Sequence, residues 1–135
     1  AQIDFRYVNP EDIKNLESRI MNITGTTAVK GTRSSIEFIS GRPPMQQSPA
    51  NRRLFSIAEA AAKQLDIPIK EQFRFGGSDA NFIADLGVPV LDGLGPIGAK
   101  DHSDEEYVVK ESLLQRAMLF TCTLLASWEN HASGQ

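Results

Sequence analysis

The sequence predicts an α/β protein, with strands and helices alternating in its second part behind half of a smaller α+β layer. Three observations carry this. Residues 44–135 alternate short strand-like runs with helical stripes, the pattern of a parallel or mixed sheet. Residues 1–43 read strand, helix, strand, which is too little to bury the face of its own sheet. The three prolines of "SGRPPMQQSP" mark a junction between the two parts.

The elements follow in order. "AQIDFRYV" sets Ile3, Phe5 and Tyr7 on one face and Asp4 and Arg6 on the other, a half-buried strand. "NPEDIKNLESRIMNI" opens a helix with Asn9 as N-cap, Pro10 at the first helical position, and Glu11 and Asp12 in the first turn. Ile13, Leu16 and Ile20 form its apolar stripe. "TGTTAVKGT" is a polar turn region and "SSIEFIS" a second strand. Pro49 then opens "PANRRLFSIAEAAAKQLD", whose face is Leu54, Ile57, Ala58, Ala61 and Leu65; its alanines suggest close packing against a sheet. "IPIKEQFRF" is a strand. "GGSDANFIADLG" is a tight turn and a short helix, with Ser78 as N-cap and Gly87 as the stop. "VPVLDGL" is another strand. The longest helix is "KESLLQRAMLFTCTLLASW", apolar over much of its circumference and so expected to be covered on more than one side.

Composition narrows the function. The 135 residues are 41% apolar and 23% charged, as in a globular protein. A net charge of −3 argues against a large electropositive surface, so neither nucleic acid nor an anionic membrane is expected as a partner. The single cysteine, Cys122, rules out an intramolecular disulfide framework, and its apolar setting predicts a buried, inert thiol. That apolar run is about half the roughly 20 residues that a membrane span requires. The expected compartment is the cytoplasm. Export is left open, because the sequence starts without an initiator Met and already inside a strand pattern.

Four places offer chemistry, each beside a plainer reading. "GLGPIG" at Gly93, Gly95 and Gly98 matches the GxGxxG dinucleotide fingerprint. Pro96 lies inside it, however, and no helical stripe follows, which favours a loop where backbone approaches a neighbouring group. "GGSDANF" places Gly77 and Ser78 between a strand end and a helix start, where N–H groups can face an anion; the plainer reading is a helix entry that Ser78 caps. Arg42 in "GRPP" sits at the junction, suited to bidentate carboxylate recognition, or is simply solvated there. His102, one of two histidines, stands in "GAKDHSDEEYV" as a metal ligand, a general base or a charged-loop residue. As a zinc ligand it would have Asp101 or Glu105 to fix its tautomer. Zinc needs at least three protein ligands, and His131 lies in a polar tail.

The order of these segments carries more than any one of them. "IDFR…PED…L…I", "GRPP", "FGGSDANFIADLGVPVLDGLGPIGAKDHSDEEYV" and the long apolar helix resemble the C-terminal part of an M20-type metallopeptidase. That group includes zinc aminoacylases, carboxypeptidase G and acetylornithine or succinyl-diaminopimelate deacylases; the carboxypeptidase G-like branch fits best. The resemblance runs from Ile3 to about Trp128. Its sharpest parts are the G-G-[ST]-D-A turn with G-x-P-V after it, and H-S-x-x-E-Y-V.

The resemblance implies that residues 1–43 are the latter half of a ferredoxin-like lid and dimerisation domain. Residues 44–135 become the C-terminal part of a catalytic α/β domain of the zinc-peptidase kind. It further implies a dizinc hydrolase, with cobalt a possible substitute, that cleaves N-acyl amino acids or small peptides with a free carboxylate. His102 matches the family's last metal ligand, Arg42 its lid-side carboxylate-binding arginine, and Gly77 and Ser78 the turn lining the substrate site. The H-x-D motif, the bridging aspartate and the Glu-Glu pair with the catalytic base are not in this sequence, and "DEE" at 104–106 is not that pair. No catalytic residue is therefore expected here. The implied partners are a missing N-terminal segment of the same enzyme and a second copy in a homodimer, and the chain by itself is expected to be inactive. Two other readings stand beside this one: an assembly or dimerisation module acting through an exposed edge strand, and nucleotide binding through "GLGPIG".

Overall fold

A computed structural model of the chain describes residues 2–39 and 41–132. Ala1 and Ser40, each at an end of an expected strand, and residues 133–135 of the polar tail lie outside that range. The chain divides into two units: Ala1–Gln46 with Arg74–Val88, and Gln47–Phe73 with Pro89–Gln135.

In the first unit, helix α1 spans Pro10–Gly25 with Pro10 at its start, as its missing N–H and fixed φ favour. Asn9 takes the N-cap position without a side-chain cap bond. Its amide instead donates to Asp12 Oδ2 at 3.2 Å. Ile13, Leu16 and Ile20 are half-buried, as their spacing predicts. Helix α2, Pro49–Gln64, opens the second unit, and the α3 turn, Ala80–Asp85, belongs to the first. Gly87, at φ +78°, closes α3 in the left-handed region that glycine adopts without cost.

In the second unit, Ser48 caps α2 by accepting the Asn51 N–H at 3.0 Å. Asp66, at φ +55°, ends it in a Schellman turn, with the Ile67 N–H returning to Ala62 O at 2.9 Å. Strands β1, Gly98–Ala99, and β2, Tyr107–Val108, pair antiparallel with Gly98 opposite Val108. Helix α4 follows over Lys110–Ala132. The core lies between α2 and α4, where Ala61, Ala62 and Leu119 are buried and Leu65, Ile67, Ile69, Leu94 and Cys122 pack around them. Small alanine side chains let the helices approach closely, so Leu119 is sealed from solvent; burying one leucine stabilises by about 1.5–3 kcal/mol.

Three expectations are corrected. The segments expected as strands at 1–8, 34–40, 67–75 and 88–94 form no ladder among the described residues, and the sole sheet there is the β1–β2 pair. Burial does alternate along Asp4–Val8, with Phe5 and Tyr7 half-buried. Alternation prepares a strand, but only ladder bonds and side-chain pairs to a neighbour hold one, and this segment enters no ladder among the described residues. Second, the alanine face of α2 packs on helix α4 and not on a sheet. Third, α4 is covered on one side only: Leu114 is 69%, Leu124 58% and Trp128 73% exposed.

Candidate substrate and metal site

The first unit brings Arg42, Gly77 and Ser78 together. A Cβ added at Gly77 would stand 2.9 Å from Arg42 Cδ, so the arginine stem lies directly on the glycine backbone. Its guanidinium faces the Asp79 carboxylate at 3.5 Å and the Phe82 ring with 6.0 Å to the centroid. Both charged side chains are largely exposed, and such pairs contribute about 0–1 kcal/mol, so the pairing yields readily to a competing anion.

The turn beneath is fixed by reciprocal bonds. Ser78 Oγ accepts the Ala80 N–H at 3.2 Å, and the Ser78 N–H donates to Asn81 Oδ1 at 2.9 Å, a capping-box arrangement at the start of α3. Asp79, and not Ser78 as expected, takes the N-cap position and makes no side-chain cap bond; Ser78 instead braces the turn one residue earlier, and its N–H is engaged. The Gly76 and Gly77 N–H groups make no hydrogen bond among the described residues. Asn81 also donates from Nδ2 to Pro43 O at 2.8 Å, tying the residue after Arg42 to the turn. Sequence reasoning missed Asn81, Asp79 and Phe82. The spacing Ser78-x-x-Asn81, which is that of a capping box with Asn in place of Glu or Gln, was the available signal for Asn81.

His102 belongs to the second unit, on the loop between β1 and β2. The loop has its own framework. Ser103 Oγ donates to Lys100 O at 2.7 Å, the Glu106 N–H to Ser103 O at 3.1 Å, and Lys100 Nζ pairs with Glu105. Beyond the loop, the Val109 N–H bonds Ile97 O at 2.8 Å, and the Ile97 N–H bonds the buried Ser112 Oγ of α4 at 2.8 Å. Lys100 and His102 both lie in the left-handed region, at φ +64° and +67°. For a residue with a Cβ that conformation costs about 1–2 kcal/mol, strain of the kind found where a side chain must be aimed.

The His102 imidazole is exposed and makes no hydrogen bond among the described residues. Glu106 reaches only its backbone N–H, at 3.3 Å, while Glu105 is turned to Lys100; neither fixes the ring tautomer. No group of three or more His, Cys, Asp or Glu side chains that could hold a metal ion is found among the described residues. The exposed imidazole fits one ligand position, but these residues alone do not make a metal centre. The other histidine, His131, is exposed on the last turn of α4.

"GLGPIG" opens into β1 and the His102 loop and into no helix, which removes the dinucleotide-site geometry. Gly98 instead lets the backbone approach Tyr107 O, as a loop of close contact requires. No helix of the described residues is long and apolar enough to cross a membrane.

No curated protein and no solved structure matches the chain. The family model described as peptidase family M20/M25/M40 matches residues 4–126, a span that includes the arginine junction, the glycine turn and the histidine loop. The chain thus belongs to peptidase family M20/M25/M40.

Proposed function

We propose that the chain forms part of a metal-dependent hydrolase of N-acyl amino acids or small peptides with a free carboxylate, contributing the carboxylate site and one metal ligand. The observation that carries this is Arg42 lying against Gly77, in a turn whose Gly76 and Gly77 N–H groups make no hydrogen bond among the described residues. A planar guanidinium and backbone donors at one turn suit a carboxylate, and the guanidinium already pairs with an exposed aspartate, Asp79. Fixing that end of the substrate orients its amide, and orientation lowers a barrier by up to about 7–11 kcal/mol when reacting groups are held well. His102 would hold a metal, with zinc the ion its nitrogen donor suits, completed by groups outside the described residues. A bound divalent metal supplies polarisation of the amide carbonyl and activation of water. The chain's own contribution to chemistry is binding and aim, and residues 1–43 and 44–135 take the lid and catalytic roles in this reading. The test is a titration with N-acetylglycine and its amide. The chain should prefer the carboxylate, and Arg42→Gln should abolish the preference. Equal binding of both ligands by the unaltered chain defeats the reading.

A second reading, an association module, is favoured by a different observation. On α4 the stripe Ser112, Leu119, Thr123 is buried, whereas Leu113, Phe120, Leu124 and Trp128 are exposed. The more apolar face is thus the outer one, the mark of an interaction surface. Size measurement across a concentration series tests it, a monomer throughout counting against association between copies.

A further inference from the structure

We infer that Asn81 is a positioning residue: its side-chain amide fixes the Arg42 segment onto the glycine turn and thereby sets the preference of that site for a carboxylate. The inference rests on the reading of Arg42 as the carboxylate-binding group. One planar amide serves two parts of the chain at once. Nδ2 donates to Pro43 O at 2.8 Å, across 38 residues, and Oδ1 accepts the Ser78 N–H at 2.9 Å. Both lengths are those of well-formed hydrogen bonds, and the side chain is half-buried. Pro43 follows Arg42 directly, and its ring fixes its own φ, so anchoring its carbonyl leaves the Arg42 backbone little freedom. The other end of the bridge holds Ser78, next to the Gly77 on which the arginine stem rests.

Arg42's own contacts do not do this. Its pairing with Asp79 at 3.5 Å is exposed on both sides, and exposed pairs hold a side chain weakly. The Phe82 ring, 6.0 Å away, steers the guanidinium without fixing the backbone behind it. The amide bridge is what makes the distance between arginine and turn a property of the fold before any ligand arrives. Chemistry separates its two halves. Asn81→Asp keeps an acceptor for the Ser78 N–H but sets a carboxylate oxygen against Pro43 O. Asn81→Ala removes both bonds.

The test uses the whole chain titrated with N-acetylglycine and with N-acetylglycinamide, followed by amide and guanidinium NMR shifts. Both Asn81 variants should lose at least about threefold in carboxylate-over-amide preference, the size of one hydrogen bond, with helical content retained. A merely structural role would weaken both ligands alike and leave the ratio unchanged; that result overturns the inference. If Arg42→Gln keeps the preference, the carboxylate reading of Arg42 falls and the positioning role with it. If Arg42→Gln abolishes it and the Asn81 variants do not, only the positioning role falls. A measurement on the unaltered chain guards against unfolded variants. The Asn81 side-chain amide protons should exchange more slowly than those of exposed Asn22 and should shift with the carboxylate ligand but not with the amide. Exchange as fast as that of Asn22 refutes the bridge.

Discussion

Replacing the three glycines of "GLGPIG" by alanine, one at a time, separates three uses of glycine within six residues. Gly98→Ala is the decisive change. Its backbone lies outside the left-handed region, so alanine is conformationally allowed there, and a Gly→Ala change at such a site ordinarily stabilises by about 0.4–1 kcal/mol through the unfolded chain. Space reverses the sign. The added Cβ would stand 2.5 Å from Tyr107 O, a backbone atom, where carbon and oxygen normally keep about 3.3–3.6 Å. Relief requires the strands to part at the Gly98–Val108 pair. The adjacent bonds from the Val109 N–H to Ile97 O and from the Ile97 N–H to Ser112 Oγ, both 2.8 Å, then weaken. Two bonds at a net value of about 0.5–1.5 kcal/mol each give a loss of roughly 1–3 kcal/mol, the same range as an overpacked contact that is left strained. Net destabilisation of about 2 kcal/mol corresponds to a fall in Tm of roughly 6–10 °C for a chain of this size. Gly95→Ala, with nothing within 4 Å, should be neutral or slightly stabilising. Gly93→Ala, at φ +73°, should cost about 1 kcal/mol from conformation alone. Thermal unfolding followed by circular dichroism, together with hydrogen exchange at the Val109 amide, measures all three. Equal effects of Gly95→Ala and Gly98→Ala, with Val109 still protected, would refute the close-approach argument.

Other outcomes follow from the same geometry. Leu119→Ala, at the sealed leucine of the α2–α4 core, should cost about 2–5 kcal/mol and move the urea midpoint accordingly; a shift below about 1 kcal/mol would mean that the core is not where the chain is held together. Gly77→Ala should leave stability within about 0.5 kcal/mol, because its Cβ meets only a flexible arginine stem, yet weaken carboxylate binding several-fold by displacing Arg42. Unchanged affinity for N-acetylglycine would detach Gly77 from the site. With zinc added, the chain alone should show neither tight binding by calorimetry nor hydrolysis of N-acyl amino acids, since His102 is one donor where a zinc site takes at least three. Turnover by the purified chain would overturn that expectation.

The helices were legible because their signals are local. Pro10 and Pro49 each open a helix one residue after a capping position, and Gly87 ends one, so the chain states these boundaries within a few residues of where they fall. Strands are a different matter. Phe5 and Tyr7 show the burial alternation that their sequence announces, but a ladder depends on a second segment whose identity no local pattern encodes. Arg42 and Gly77 lie 35 positions apart, and no spacing rule relates them; only the family resemblance set them side by side. Asn81 escaped notice for the opposite reason. Its half of the capping box is local and was readable, while its bond to Pro43 joins distant positions and was not.

Helix α4 shows why hydrophobicity by itself does not say which face turns inward. Its apolar residues nearly encircle the helix, so the sequence predicted cover on several sides. The side that meets α2 instead carries Ser112 and Thr123 around Leu119. Those two hydroxyls are at home there because each has a backbone acceptor: Ser112 Oγ donates to Val109 O, and Thr123 Oγ1 donates to Leu119 O at 2.7 Å. Ser112 also accepts the Ile97 N–H, and so connects α4 to the strand that leads into the His102 loop. A buried hydroxyl with a backbone acceptor costs little, whereas an unpaired one costs about 1–3 kcal/mol, and the polar stripe can face inward because each hydroxyl bonds a nearby carbonyl of its own chain. The inner face of α4 thus tolerates two hydroxyls, and one of them, Ser112, also holds the residue that precedes β1. The outer face, with Phe120, Leu124 and Trp128 uncovered, is left with the larger apolar surface and with the stronger drive to be covered.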